Sequence, residues 1–234
     1  MAESDDELRI LIDLDHAELE AQRVAGLLAS LRKRHDLERF EYTRLVRIQP
    51  AGATHSHPIL TLGTRFAETE DLLLSTYLHE QMHWYLWRLG GPDHDPVAPF
   101  FDELVRRYPK APTRLPEGAR SYEQTYLHLV VCWLEVAAAT ELIGRERAAA
   151  IAHAPWGYRW IYRTVLDDWE ALGALLQAHD ILPMRTPMAL DKEERARKLQ
   201  SVNGAPRKKT PAAPPPPTRK APRRARARGG RSAG

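Results

Sequence analysis

Between Leu72 and Trp87 the chain is largely apolar, and in the middle of this run stands His79-Glu80-Gln81-Met82-His83. The run is too long for a strand and predicts a helix from about Glu70 to Leu89, stopped by Gly90-Gly91-Pro92. Residues four apart on a helix share a face, one turn from each other, so both imidazoles can reach one point and Glu80 lies beside them. Polar groups at the centre of an apolar helix need partners once the helix packs. Two histidines at this spacing can hold a zinc ion, and the carboxylate next to them can take a proton from a zinc-bound water, which is the pattern of metal-assisted hydrolysis. His79 and His83 are therefore candidate metal ligands, Glu80 is the candidate general base, and Zn2+ is the expected cofactor.

Composition divides the chain near residue 191. From Lys192 to Gly234 there are 14 Lys and Arg against 2 Asp and Glu, a net charge of +12; the whole chain is +3, which leaves −9 for residues 1–191. The tail contains Pro214-Pro215-Pro216-Pro217 and Arg223-Arg224-Ala225-Arg226-Ala227-Arg228, and beyond Val202 it has no large apolar residue. It lacks the apolar surface that would offset chain entropy, so a globular domain over 1–191 and a disordered basic tail over 192–234 are expected. Such a tail binds phosphates without sequence preference, which makes nucleic acid a candidate partner. The opening residues Met1–Glu7 are acidic and lack the basic and apolar regions of a signal peptide. Glu135 interrupts the most apolar stretch, so no membrane partner is expected. Cys132 is the single cysteine and excludes an internal disulfide, which suits a reducing cytoplasm.

Periodicity gives a coarse map. Ile10, Ile12 and Leu14 alternate as in a half-buried strand, and Val24, Leu27, Leu28 and Leu31 mark a helix that runs to about Lys33. Phe40 to Ile48 is rich in strand formers, and Ile59–Leu62 reads as a short strand. After the motif helix come a short helix near Ala98–Tyr108, a long one from about Arg120 to Ile143 ending at Gly144, and one over Trp156–Ala178.

Strands followed by an H-E-x-x-H helix and further helices resemble the zincin metallopeptidases. The resemblance spans about residues 40–145, and only the motif in it is specific. It implies an α+β fold with a small, mostly antiparallel or mixed sheet, an active-site helix and a helical C-terminal part. It also implies an edge strand, here Ile59–Leu62, that holds an extended peptide or protein substrate by backbone pairing. A catalytic zinc needs a third protein ligand and an open position. The metzincin pattern would place Gly and His where this chain has Leu86 and Leu89. The gluzincin pattern takes a Glu from a second helix, which implies Glu135, a carboxylate set in the apolar stretch Leu127–Ala139; the Asp usual four residues later is Ala139 here. His128 stands seven residues before Glu135, on the same helix face, as a candidate donor to an oxyanion or a partner of a ligand. Gln124, Thr125 and Cys132 lie on or near that face. Tyr158 and His153 are further candidates to stabilise an oxyanion. A weaker resemblance, to SprT-like proteases, rests on His94-Asp95-Pro96 followed by Phe100 and Phe101, with Asp95 where that group has Gly. Asp93, His94 and Asp95, just after the motif helix, are themselves rival sources of the third ligand.

Overall fold

The computed structural model describes residues 7–12, 18–50, 52–66, 69–91, 95–154 and 157–204. Among them the chain forms strands β1 (Arg9–Ile12), β2 (Leu45–Gln49) and β3 (Leu60–Gly63). The helices are α1 (Glu18–Arg34), α2 (Glu70–Gly90), α3 (Phe101–Arg107), α4 (Tyr122–Ile143), α5 (Arg145–Ala152), α6 (Arg159–Asp167), α7 (Trp169–Ala178) and α8 (Pro187–Gly204). The fold is α+β and mostly helical.

The sheet has the order β1-β2-β3 and is parallel throughout, with Ile10 opposite Val46 and Val46 opposite Leu60. This corrects the expected antiparallel or mixed sheet. Parallel neighbours need a crossover between them. Helix α1 provides it between β1 and β2, burying Ala21, Val24, Leu28 and Leu31, and the segment after Gln49 returns the chain to the start of β3. Val46, Ile48, Leu60 and Leu62 complete the core beneath α1 and α2.

Two long helices position the centre of the molecule. Thr69 caps α2 by accepting the Leu72 N–H at 3.2 Å, and Ser121 caps α4 by accepting the Gln124 N–H at the same distance. The helix ends at Gly91 and Gly144 have φ of 81° and 83°, which glycine adopts without strain. Helix α4 is the core helix and touches α2, α5, α6 and α7. By length and composition it could cross a membrane, yet 67% of its apolar window is buried inside the fold.

Gln81 fastens α2 to the start of β2. It is fully buried; its amide N–H donates to the Thr43 carbonyl at 2.9 Å and its carbonyl accepts the Thr43 N–H at 3.0 Å. Gln81→Leu fills the same space but strands both backbone groups. We expect it to lower stability by about 2 kcal/mol or more, read from the urea midpoint at unchanged slope.

Other elements differ from the sequence expectation. Leu37–Phe40 is a 3-10 turn, and the strand begins only at Leu45. The helix expected over Trp156–Ala178 is two helices, broken at Asp168, whose carboxylate accepts the Tyr108 hydroxyl at 2.8 Å; Trp156 lies outside the described residues. Helix α8 runs across the change in composition at residue 192. The chain divides into units Met1–Ala196 and Arg197–Gly234, and the candidate site lies in the first. The tail beyond Gly204 falls outside the described residues.

Candidate metal centre

Helix α2 presents His79, Glu80 and His83, and α4 presents His128, Cys132 and Glu135 toward it. The imidazoles of His79, His83 and His128 form a triangle, with ring centroids 5.1 Å, 5.4 Å and 5.1 Å apart. One nitrogen from each lies within 4.8 Å of the others, a set that could hold a metal ion. His79 and His128 are 9% and 6% exposed, while His83 is half-buried, the most exposed of the three.

The second nitrogens of two of these rings are engaged elsewhere. His128 Nδ1 donates to the Gln124 carbonyl at 2.7 Å, which leaves Nε2 for the triangle. His79 Nδ1 meets Glu135 Oε2 at 2.9 Å. The same oxygen accepts the Tyr162 hydroxyl at 2.7 Å, and Oε1 accepts the Ser75 hydroxyl at 2.5 Å. Glu135 is thus 2% exposed with both oxygens bonded, and it orients His79 as carboxylates do behind metal-binding histidines.

The imidazole triangle differs from the expected set of His79, His83 and Glu135. Glu135 does not stand with His79 and His83; His128 does. Helices α2 and α4 run antiparallel, so an advance of two turns along α4 is a retreat along α2. His128 therefore faces the turn between His79 and His83, and Glu135 faces the turn between Ser75 and His79. A second group, His79, Cys132 and Glu135, also has donor atoms within 4.8 Å of one another. Cys132 is fully buried with its sulfur 3.9 Å from His79 Nδ1, and all three members of this group are buried, so it lacks the half-buried member that the triangle has in His83.

Burial shapes the charges. It pushes His128 down to about 3, with His79 adding to the effect. Burial, His79, His128 and His57 hold His83 well below its usual range. Burial also opposes charge on His79, but its contacts with Cys132 and Glu135 outweigh this and raise it well above the ordinary histidine value. His83 and His128 are therefore neutral at pH 7, the form that binds a metal. Glu80 is 7% exposed, and its carboxyl is raised by burial against the lowering influence of His79 and His55.

Tyr158 lies at the site. Its ring centroid is 4.5 Å from that of His128 and 6.0 Å from that of His79, and its φ of 60° puts a non-glycine residue in the left-handed region at the start of α6. Neither His153 nor Asp95 belongs to the two candidate groups. His153 is exposed where α5 ends. Asp95 is exposed and accepts the Val97 N–H at 2.8 Å in a polar turn, while Asp93 and His94 lie outside the described residues.

Ser75, Tyr162, His55 and His57 belong to the surroundings of the site and were not expected. Ser75 precedes His79 by one helical turn and Tyr162 follows Tyr158 by one, so shared helix faces carried a signal for both. No protein-family model, curated protein or solved structure matches this chain.

Proposed function

We propose that the chain is a zinc-dependent hydrolase of peptide or related amide bonds, with His79, His83 and His128 as ligands and Glu80 as general base. The observation that carries this reading is the convergence of three imidazole nitrogens beside the buried carboxylate of the same helix. The donor set fits zinc: three imidazole nitrogens, one ring held by a carboxylate and another by a backbone carbonyl, with His83 the most exposed of the three. Zinc bound there would supply Lewis acidity, activating water at neutral pH and polarising the carbonyl of the substrate.

The residues of the chain do the rest. Glu80 takes the proton from the attacking water and passes it to the leaving amine. Its raised pKa brings it nearer the neutral range in which both transfers are efficient. Glu135, itself fixed by Ser75 and Tyr162, keeps the His79 ring in one orientation. Tyr158, whose ring lies 4.5 Å from that of His128, is the candidate donor to a developing oxyanion. Peptide bonds are the substrate class that the H-E-x-x-H resemblance implies. The gluzincin ligand role for Glu135 gives way to an orienting role.

The test is metal content. The purified protein should carry about one zinc per chain by elemental analysis, and hydrolysis of an acylated dipeptide should vanish with chelator and return with zinc. A protein that refuses zinc sinks the proposal.

The reduced, buried Cys132 suits a cytoplasmic setting. The basic tail is proposed to bind nucleic acid without sequence preference. Truncation after Gly204 should leave zinc content unchanged, and the full chain should lose DNA affinity steeply between 50 and 200 mM salt. Equal DNA affinity of the two forms would remove the tail from that role.

A further inference from the structure

The outer edge of β3 is where an extended chain would add to this sheet by backbone pairing. That edge is already taken. Thr61 N–H donates to the His55 carbonyl at 2.8 Å, and His55 N–H donates to the Thr61 carbonyl at 3.0 Å. Gly63 N–H donates to the Thr54 hydroxyl at 3.0 Å, and the Thr61 hydroxyl covers the Ile59 carbonyl at 3.0 Å. Alternate residues of a strand turn their backbone groups to the same edge, so these bonds satisfy the outward groups from the Ile59 carbonyl to the Gly63 N–H.

The occupying segment is also fastened to the motif helix. Trp84 Nε1–H donates to the Ser56 carbonyl at 2.8 Å, and the His57 ring stacks on Trp84 at 4.3 Å and 21°. Trp84 follows His83 directly in α2, and His57 and His55 are close enough to act electrostatically on His83 and Glu80, which puts the segment beside the candidate centre. On the strand side, a Cβ on Gly63 would lie 2.4 Å from the Gly52 carbonyl oxygen, so segment and strand approach too closely for any side chain there.

We propose that residues 52–57 form a fixed wall in the place of a substrate strand, so that the centre accepts a chain end or a compact amide and not the middle of an extended polypeptide. An incoming strand would only replace bonds that the wall already makes, and would have to pull His57 off Trp84 as well. The substrate class rests on the hydrolase reading above; the wall itself does not.

Amide hydrogen exchange of the zinc-loaded full chain tests the wall, with and without excess reduced, carboxymethylated casein as an unstructured polypeptide. The amides of Thr61 and Gly63 should exchange slowly, and casein should change their rates by less than twofold. A variant carrying Thr54→Val and His55→Pro lacks two of the wall's bonds, and Gly63→Ala pushes the wall off from the other side. In both, these amides should exchange at least tenfold faster, and casein should restore protection. Casein that protects β3 in the native chain while freeing the His55 amide overturns the proposal, as do opened variants that still take no casein. In the hydrolysis arm, acylated dipeptides should be cleaved at least tenfold faster than internal bonds of casein, and the reverse order overturns it. If neither is cleaved, the hydrolase reading fails and the exchange results alone decide the wall.

Discussion

His128→Ala should strip the candidate metal centre of zinc, while Glu135→Gln should keep it. This is the outcome expected if His128 completes the triangle with His79 and His83 and Glu135 acts behind His79. A protein zinc site is worth about 10–16 kcal/mol, so an even share among three protein ligands and a water gives each about 3 kcal/mol, on the order of a 10²-fold loss of affinity. With only two side-chain ligands left, His128→Ala should purify without zinc. Glu135→Gln keeps an oxygen that can accept the His79 Nδ1–H, so the orientation of the ring survives. Its affinity should fall by about tenfold, at the lower end for residues behind a ligand. Elemental analysis after titration with a chelator separates the two. The opposite pattern, zinc lost from Glu135→Gln and kept by His128→Ala, would return the third ligand to Glu135. Glu135→Ala is the less useful variant, because it strands the donors of Ser75, Tyr162 and His79 in a buried place and lowers stability on its own account.

Glu80→Gln should retain zinc and lose nearly all hydrolysis. The substitution preserves shape and removes the base. Glu80 is not in the imidazole triangle, so stoichiometry should stay near one zinc per chain. General acid–base catalysis contributes about 10²–10⁴-fold, and kcat for an acylated dipeptide should fall by that amount with KM little changed. Wild-type rates in a variant with full zinc content would mean that Glu80 is a buried structural carboxylate and that the centre is not a hydrolase of this kind.

The H-E-x-x-H spacing, the apolar flanks and the terminating glycines were enough to place α2 and the two candidate ligands on its face, because helical periodicity is local. The same holds for α4: an apolar helix with a polar stripe of Gln124, His128, Cys132 and Glu135 is legible in the sequence. Which member of the stripe meets the imidazole pair is not. His128 and Glu135 lie on one face, and only the antiparallel packing of α4 on α2 sets His128 against the His79–His83 turn and Glu135 one turn away, against Ser75.

Strand direction divides in the same way. The sequence determined where β1 and α1 lie within a few residues, but a β-rich stretch carries no sign of its partner's direction. The crossover through α1 and the tight return past Gly52 made the sheet parallel. The wall along β3 is the clearest case. Thr54, His55 and Ser56 read as ordinary loop residues, since the bonds that tie His55 to Thr61 and Ser56 to the Trp84 indole come from their backbone groups. Backbone groups are the same in every residue, so sequence alone determined which side chains could do chemistry here. Tertiary packing, which decides whose backbone stands next to whose, determined how they are grouped and what can reach them.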